Sequence, residues 1–162
     1  MKISIFSNPF RLILFAPVLF ICHVIEEAPG FVEWINHLVD RNITQSLFLS
    51  VNMTGFIITA ILSLLTAYTK DKTITIVTLA WLGFFMFGNA LLHITATILY
   101  QLYSPGIITS IILYLPFILW YAWLLNKKTE ITSTTIAVTI LIGAIPMMIH
   151  GYMIIFEGTT IF

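Results

Sequence analysis

The stretch Gln45 to Tyr68, QSLFLSVNMTGFIITAILSLLTAY, carries no Asp, Glu, Lys or Arg. It is long enough to cross a bilayer as one helix, for which about 20 mostly apolar residues suffice. Working outward, Pro9 to Glu27 precedes it, and Thr73 to Tyr100, Pro105 to Asn126 and Thr132 to Phe156 follow, all of the same kind. The breaks are Ala28-Pro29-Gly30, Lys70-Asp71-Lys72, Tyr103-Ser104-Pro105-Gly106 and Asn126-Lys127-Lys128, where turn formers or charges end a span. Composition agrees: the 162 residues are 59% apolar and 9% charged, whereas charged residues make up roughly a quarter of a soluble domain. Mean hydropathy is +1.03. The expectation is an all-α polytopic membrane protein, with five transmembrane helices in one bundle domain over residues 1–162 and neighbours antiparallel because the connections are short.

Lys2 and Arg11 ahead of the apolar run Leu12 to Cys22 have the look of a signal peptide. No small-x-small cleavage site follows, and Phe20 and Ile21 are too bulky for a lipoprotein cleavage box, so the segment is read as the first span. Cys22, the lone cysteine, excludes a disulfide framework and a multi-cysteine metal site. Seven basic and seven acidic residues give a net charge of zero, so nothing in the bulk charge points to nucleic acid. Lys2, Arg11, Lys70, Lys72, Lys127 and Lys128 fall on the side of the N-terminus and only Arg41 on the other, which predicts a cytoplasmic N-terminus and an external C-terminus.

Between the first two spans, Phe31, Trp34, Ile35, Leu38 and Val39 recur at helical spacing opposite Glu33, Asn36, His37, Asp40 and Arg41. That pattern predicts a short amphipathic helix in the outer interface with Trp34 as anchor. It either covers the bundle or forms a lid over a site, with His37 contributing. Tyr100, Tyr103, Trp120, Tyr121 and Trp123 near span ends read as interfacial aromatics.

The functional candidates are the polar side chains where they are expensive: His23, Glu26 and Glu27 on the first span, Asn52 on the second, Asn89 and His93 on the third, His150 on the fifth. His23 with Glu26 and Glu27 is i, i+3, i+4, and Asn89 with His93 is i, i+4, so each set shares a helix face. At a rise of about 1.5 Å per residue, His23, Asn52, His93 and His150 lie about 6 to 10 Å inside the outer helix ends, in one slab. Histidines and carboxylates converging there suit zinc, with iron or manganese as alternatives, better than calcium or magnesium. The expected site has His23, His93, His150 and Glu27 as ligands, and Glu26, or Glu27 if it is not a ligand, as general base on a metal-bound water. Asn52 and Asn89 are placed to orient ligands or stabilise an oxyanion.

His23-Val24-Ile25-Glu26-Glu27 resembles the signature of the HXXEE family of small multi-spanning membrane proteins, mainly bacterial and without an assigned activity. Asn89 to His93 and Tyr103-Ser104-Pro105-Gly106 are similar to that family's third helix and the turn after it. The resemblance implies a bacterial inner-membrane location and a site built from His23, Glu26, Glu27, Asn89 and His93, with His150 outside the shared motifs. Three readings stay open: a metal-dependent hydrolase acting on a lipid-like or amphiphilic small molecule, a proton- or metal-coupled transporter, and a structural accessory subunit. Membrane lipids are the expected surroundings, and oligomeric state is not legible.

Overall fold

The computed structural model describes residues 7–40 and 42–160. Five helices are long and apolar enough to cross a membrane: α1 (Pro9–Glu27), α3 (Gln45–Thr69), α4 (Lys72–Tyr100), α5 (Ile107–Lys128) and α6 (Ser133–Glu157). The short α2 (Phe31–Leu38) lies between the first two. Side-chain caps start the helices: Asn8 accepts from the Phe10 N–H, Thr44 from Leu47, Asp71 from Ile74 and Thr132 from Thr135. Left-handed residues end three of them, Lys70 (φ 54°), Gln101 (φ 55°) and Gly158 (φ 61°). α5 begins at Ile107 rather than at Pro105, because Gly106 turns the chain at φ 101°.

A wide belt of apolar side chains, among them Ile25, Ile61, Ile112, Leu119 and Ile142, is exposed around the bundle, as in a protein whose solvent is lipid. With lipid as solvent, close packing and interhelical hydrogen bonds hold the helices together. α4 and α6 touch through small residues. A Cβ on Gly83 would stand 2.5 Å from the Ile140 carbonyl oxygen, and one on Gly143 would overlap the Ala80 carbonyl. α3 and α4 are joined by Thr66 Oγ1 to Thr78 Oγ1 at 2.7 Å and by Trp81 Nε1 donating to Thr59 Oγ1 at 2.8 Å. Such bonds contribute on average about 0.6 kcal/mol each in a membrane bundle.

Three spans depart from regular α geometry. α1 has a 3₁₀ turn at Ile13–Phe15, just before Pro17, whose missing N–H breaks the α ladder. α4 carries a π turn at Gly83–Gly88 and α5 another at Ser110–Tyr114. Each π turn rotates the helix that follows it, and the two stand directly beside Asn89 and Thr109.

α2 has the expected amphipathic face, and it is docked on the protein. Ile35 and Val39 are buried with Leu92, Met147 and Ile154 of α4 and α6. The Asn36 amide brackets the Ile43 backbone, donating to its carbonyl (2.9 Å) and accepting from its N–H (2.8 Å). The Asp40 N–H donates to the Gly158 carbonyl at 2.8 Å. Trp34 is half-buried and packs against Phe31, ring centres 5.6 Å apart.

Three of the expected interfacial aromatics have other work. Tyr121 is wholly buried and stacked on Phe117, Tyr100 donates to the Ile155 carbonyl at 2.9 Å, and Tyr103 donates to Glu26. Trp120 and Trp123 are exposed, the latter beneath the Lys127 ammonium. Of the basic residues that set the expected orientation, Lys2 and Arg41 fall outside the described residues; Lys70 follows α3, Lys72 starts α4, and Lys127 and Lys128 end α5, all at the end of the bundle away from α2.

Candidate metal centre

The i, i+4 spacing on α1 brings His23 and Glu27 together, and α4 adds His93 from across the bundle. Glu27 Oε1 lies 3.3 Å from His23 Nε2 and 3.1 Å from His93 Nε2. All three residues are buried, with exposures of 2% (His23), 4% (Glu27) and 0% (His93). One potential ligand atom from each lies within 4.8 Å of the others. Two ligands about 2.0–2.1 Å from a tetrahedral zinc stand about 3.3–3.4 Å apart, so the observed separations suit a shared ion.

The hydrogen bonds behind the rings carry the argument further. Thr109 Oγ1 donates its only proton to Glu26 Oε2 at 2.5 Å, and His23 Nδ1 lies 2.8 Å from Thr109 Oγ1. With that proton committed, Thr109 can only accept from His23, so Nδ1 bears the hydrogen. In the neutral ring Nε2 then turns a lone pair toward the Glu27 carboxylate, which is repulsive unless a cation or a proton lies between them. Neither His23 Nε2 nor His93 Nε2 makes a directional hydrogen bond. Among the described residues Glu27 pairs with the two imidazoles and with no Lys or Arg. His93 is held from behind by Ser104, Nδ1 to Oγ at 2.9 Å.

Glu26 faces the other way. Its carboxylate accepts from the Tyr103 hydroxyl (2.6 Å), the backbone N–H groups of Ile108 (3.0 Å) and Thr109 (2.7 Å), and the Thr109 hydroxyl. It thus caps the positive end of α5 and fixes that helix against α1. Burial of the Tyr103 hydroxyl and its bond to this carboxylate push the phenol up to about 12.

Tyr103-Ser104-Pro105-Gly106, read in the sequence as a turn similar to the family's, contacts the site through Tyr103, Ser104 and Gly106. Tyr103 holds Glu26, Ser104 holds His93, and Pro105 packs on Gly30, where a Cβ would meet its ring at 3.4 Å. A Cβ on Gly106 would stand 2.8 Å from His23 Cε1 and 2.9 Å from His93 Nε2, so only glycine lets the turn approach both imidazoles. Tyr114 closes one face of His23, ring centres 4.5 Å apart, and Phe31 and Trp34 of α2 cover His93 at 6.3 and 6.5 Å. Thr109 and Tyr114 gave no signal in the sequence, since both sit in an ordinary apolar span.

Glu27 also opens on a cavity of about 110 Å³ roofed by Phe31 and Ile35 of α2. Asn52, Asn89 and His150 line this cavity and are not part of the three-residue cluster. Asn52 Nδ2 donates back to the Phe48 carbonyl at 3.1 Å, and Asn89 Oδ1 is buried without a hydrogen-bond partner. His37 is exposed and lines neither cavity nor cluster, because it lies on the face of α2 opposite Ile35.

No curated protein and no solved structure matches the chain. One family model, described as "Protein of unknown function with HXXEE motif", matches residues 14–121, most of α1 to α5. That segment contains His23, Glu27 and His93 together with the Tyr103 to Gly106 turn that packs behind them, while His150 lies beyond it. The chain belongs to the HXXEE family.

Proposed function

We propose that this chain is a metal-dependent membrane hydrolase, with His23, Glu27 and His93 holding one divalent ion, zinc first and iron or manganese as alternatives, and with the adjoining cavity receiving an amphiphilic substrate. The observation that carries this is the pair of imidazole Nε2 atoms converging on one buried carboxylate oxygen at 3.3 and 3.1 Å, each ring anchored through Nδ1. Two imidazoles and a carboxylate leave an open coordination position, as catalytic zinc sites do. Such an ion polarises a carbonyl and lowers the pKa of a bound water toward neutrality.

The chain's own residues divide the remaining work. Glu26 and Thr109 hold His23 in the Nδ1–H form, and Ser104 steadies His93. With Glu27 a ligand and Glu26 committed to α5, we assign the proton-accepting role to His150, the other titratable side chain lining the cavity. Asn89 and Asn52 supply the amide groups beside a developing oxyanion. The excess of Lys and Arg at the end away from α2 supports a cytoplasmic N-terminus in a bacterial inner membrane, with the site in the outer half.

Metal content of the detergent-purified chain tests the reading. About one ion per chain is expected, lost in His93→Ala and Glu27→Gln variants that keep their helical circular dichroism. A chain that holds no metal after being offered zinc, iron and manganese in turn overturns it. A buried carboxylate and imidazole pair sharing a proton then takes its place. With metal bound, His150→Gln should abolish hydrolysis of amphiphilic esters or amides and leave metal content unchanged.

A further inference from the structure

We propose that the groove between α3 and α4 holds the single hydrocarbon chain of an amphiphile whose polar end lies in the cavity beside Glu27. This groove of about 360 Å³ is lined by Ser50, Val51, Thr54, Gly55, Ile58, Trp81, Phe84 and Phe85. Val51, Phe84 and Phe85 also line the metal-side cavity, so the two spaces adjoin through a shared wall. The groove follows α3 from Ser50 to Ile58, roughly 12 Å at 1.5 Å per residue. Ile58 lies near the middle of Gln45–Thr69. The groove thus runs from the site toward the bilayer midplane, the course of an acyl chain in the leaflet nearest the site.

The chemistry of the two walls differs in the sense an amphiphile requires. In the groove, Thr54 donates to the Ser50 carbonyl at 2.9 Å and Trp81 Nε1 donates to Thr59 at 2.8 Å, so these donors are used within the protein and the surface offers hydrocarbon contact. The cavity holds Glu27, His150 and the Asn89 oxygen that lacks a partner. A polar group belongs at that end and an alkyl chain at the other. Gly55 makes the junction possible: Phe85 leans over it so closely that a Cβ there would lie 2.8 Å from the ring. A second groove, between α1 and α3, shares only Asn52 with the cavity, and the Asn52 amide is turned to the Phe48 carbonyl.

The proposal takes the metal centre as the seat of the polar end, and its test reads the two separately. The full chain is reconstituted in phosphatidylcholine vesicles containing a palmitate that bears a photoreactive diazirine at mid-chain. Cross-links are mapped by mass spectrometry, and metal content is measured on the same sample. Labelling of Val51, Thr54 and Ile58 is expected to exceed by several-fold that of Ile145 and Ile149, exposed residues at similar depth on α6. Thr54→Trp, on an exposed position, fills the groove and should bring labelling to the α6 level with metal content and melting temperature unchanged. Equal labelling of α3 and α6, or labelling concentrated between Phe20 and Phe56, overturns the groove assignment whatever the metal content. Selective groove labelling in a chain that binds no metal leaves the groove and removes the hydrolase.

Discussion

Replacing Thr109 with valine removes one hydroxyl from the center of the site's hydrogen-bond chain and keeps the shape of the side chain. The Thr109 backbone N–H still reaches Glu26 at 2.7 Å, so α5 stays capped. What is lost is the 2.5 Å bond to Glu26 Oε2 and the 2.8 Å contact with His23 Nδ1, and with them the constraint that points the His23 lone pair at Glu27. Removing a group that orients a ligand from behind typically weakens metal binding about 10- to 100-fold, equivalent to about 1.4–2.8 kcal/mol. A hydrogen bond to a charged acceptor is worth about 1.5–3 kcal/mol, so both routes give the same scale. The assay is competition against a chelator of known affinity, with Thr109→Ser as the matched variant that keeps the hydroxyl. Serine should hold metal within a few-fold of the parent while valine falls by the full amount. Equal affinity for valine and the parent would refute the tautomer argument, and a loss in serine that valine does not share would reduce Thr109 to methyl packing.

Gly106→Ala should disturb both the turn and the site. Its φ of 101° costs an L-residue at least about 1–2 kcal/mol and its Cβ meets both imidazoles, so melting temperature and metal content should fall together. Tyr103 should ionise near pH 12, seen as the difference in tyrosinate absorbance between the parent and Tyr103→Phe. Since its folded pKa lies above the ordinary value of about 10, its contribution to stability is complete below pH 10 and lost as pH rises through about 12. An onset at pH 10 would mean that Glu26 does not hold it. His37→Ala, at an exposed position, should leave metal content unchanged and stability within about 0.5 kcal/mol; a loss of metal would return His37 to the site.

The spans were legible because a bilayer imposes a length and forbids most charges, so Lys70-Asp71-Lys72 marks a helix end almost unaided. His23, Glu27 and His93 were legible for the complementary reason, that polar side chains in hydrocarbon stand out. What periodicity could not separate was the two adjacent glutamates. Glu26 and Glu27 differ by one helical step of 100°, enough to send one to the helix N-terminus of α5 and the other to the imidazoles. Thr109 escaped notice because a threonine in a span is chemically ordinary until a neighbouring helix supplies its partners. The π turns at Gly83–Gly88 and Ser110–Tyr114 escaped as well, since an apolar run reads the same whether its turn is α or π. His150 and Asn52 share the depth of the cluster, but depth along an axis leaves the direction around it open.

The fastening of α2 has a kinetic corollary. Asn36 grips the Ile43 backbone and Asp40 is bonded to Gly158, so the roof over the cavity is tied down at both the α3 and the α6 side. A substrate of the proposed hydrolase that arrives beside the roof would come from the hydrocarbon phase, where its chemical potential is set by how crowded the bilayer is with it. Turnover should accordingly follow the mole fraction of substrate among the lipids and fall on dilution with inert lipid at constant bulk concentration, while adding buffer to the same vesicles should leave it unchanged.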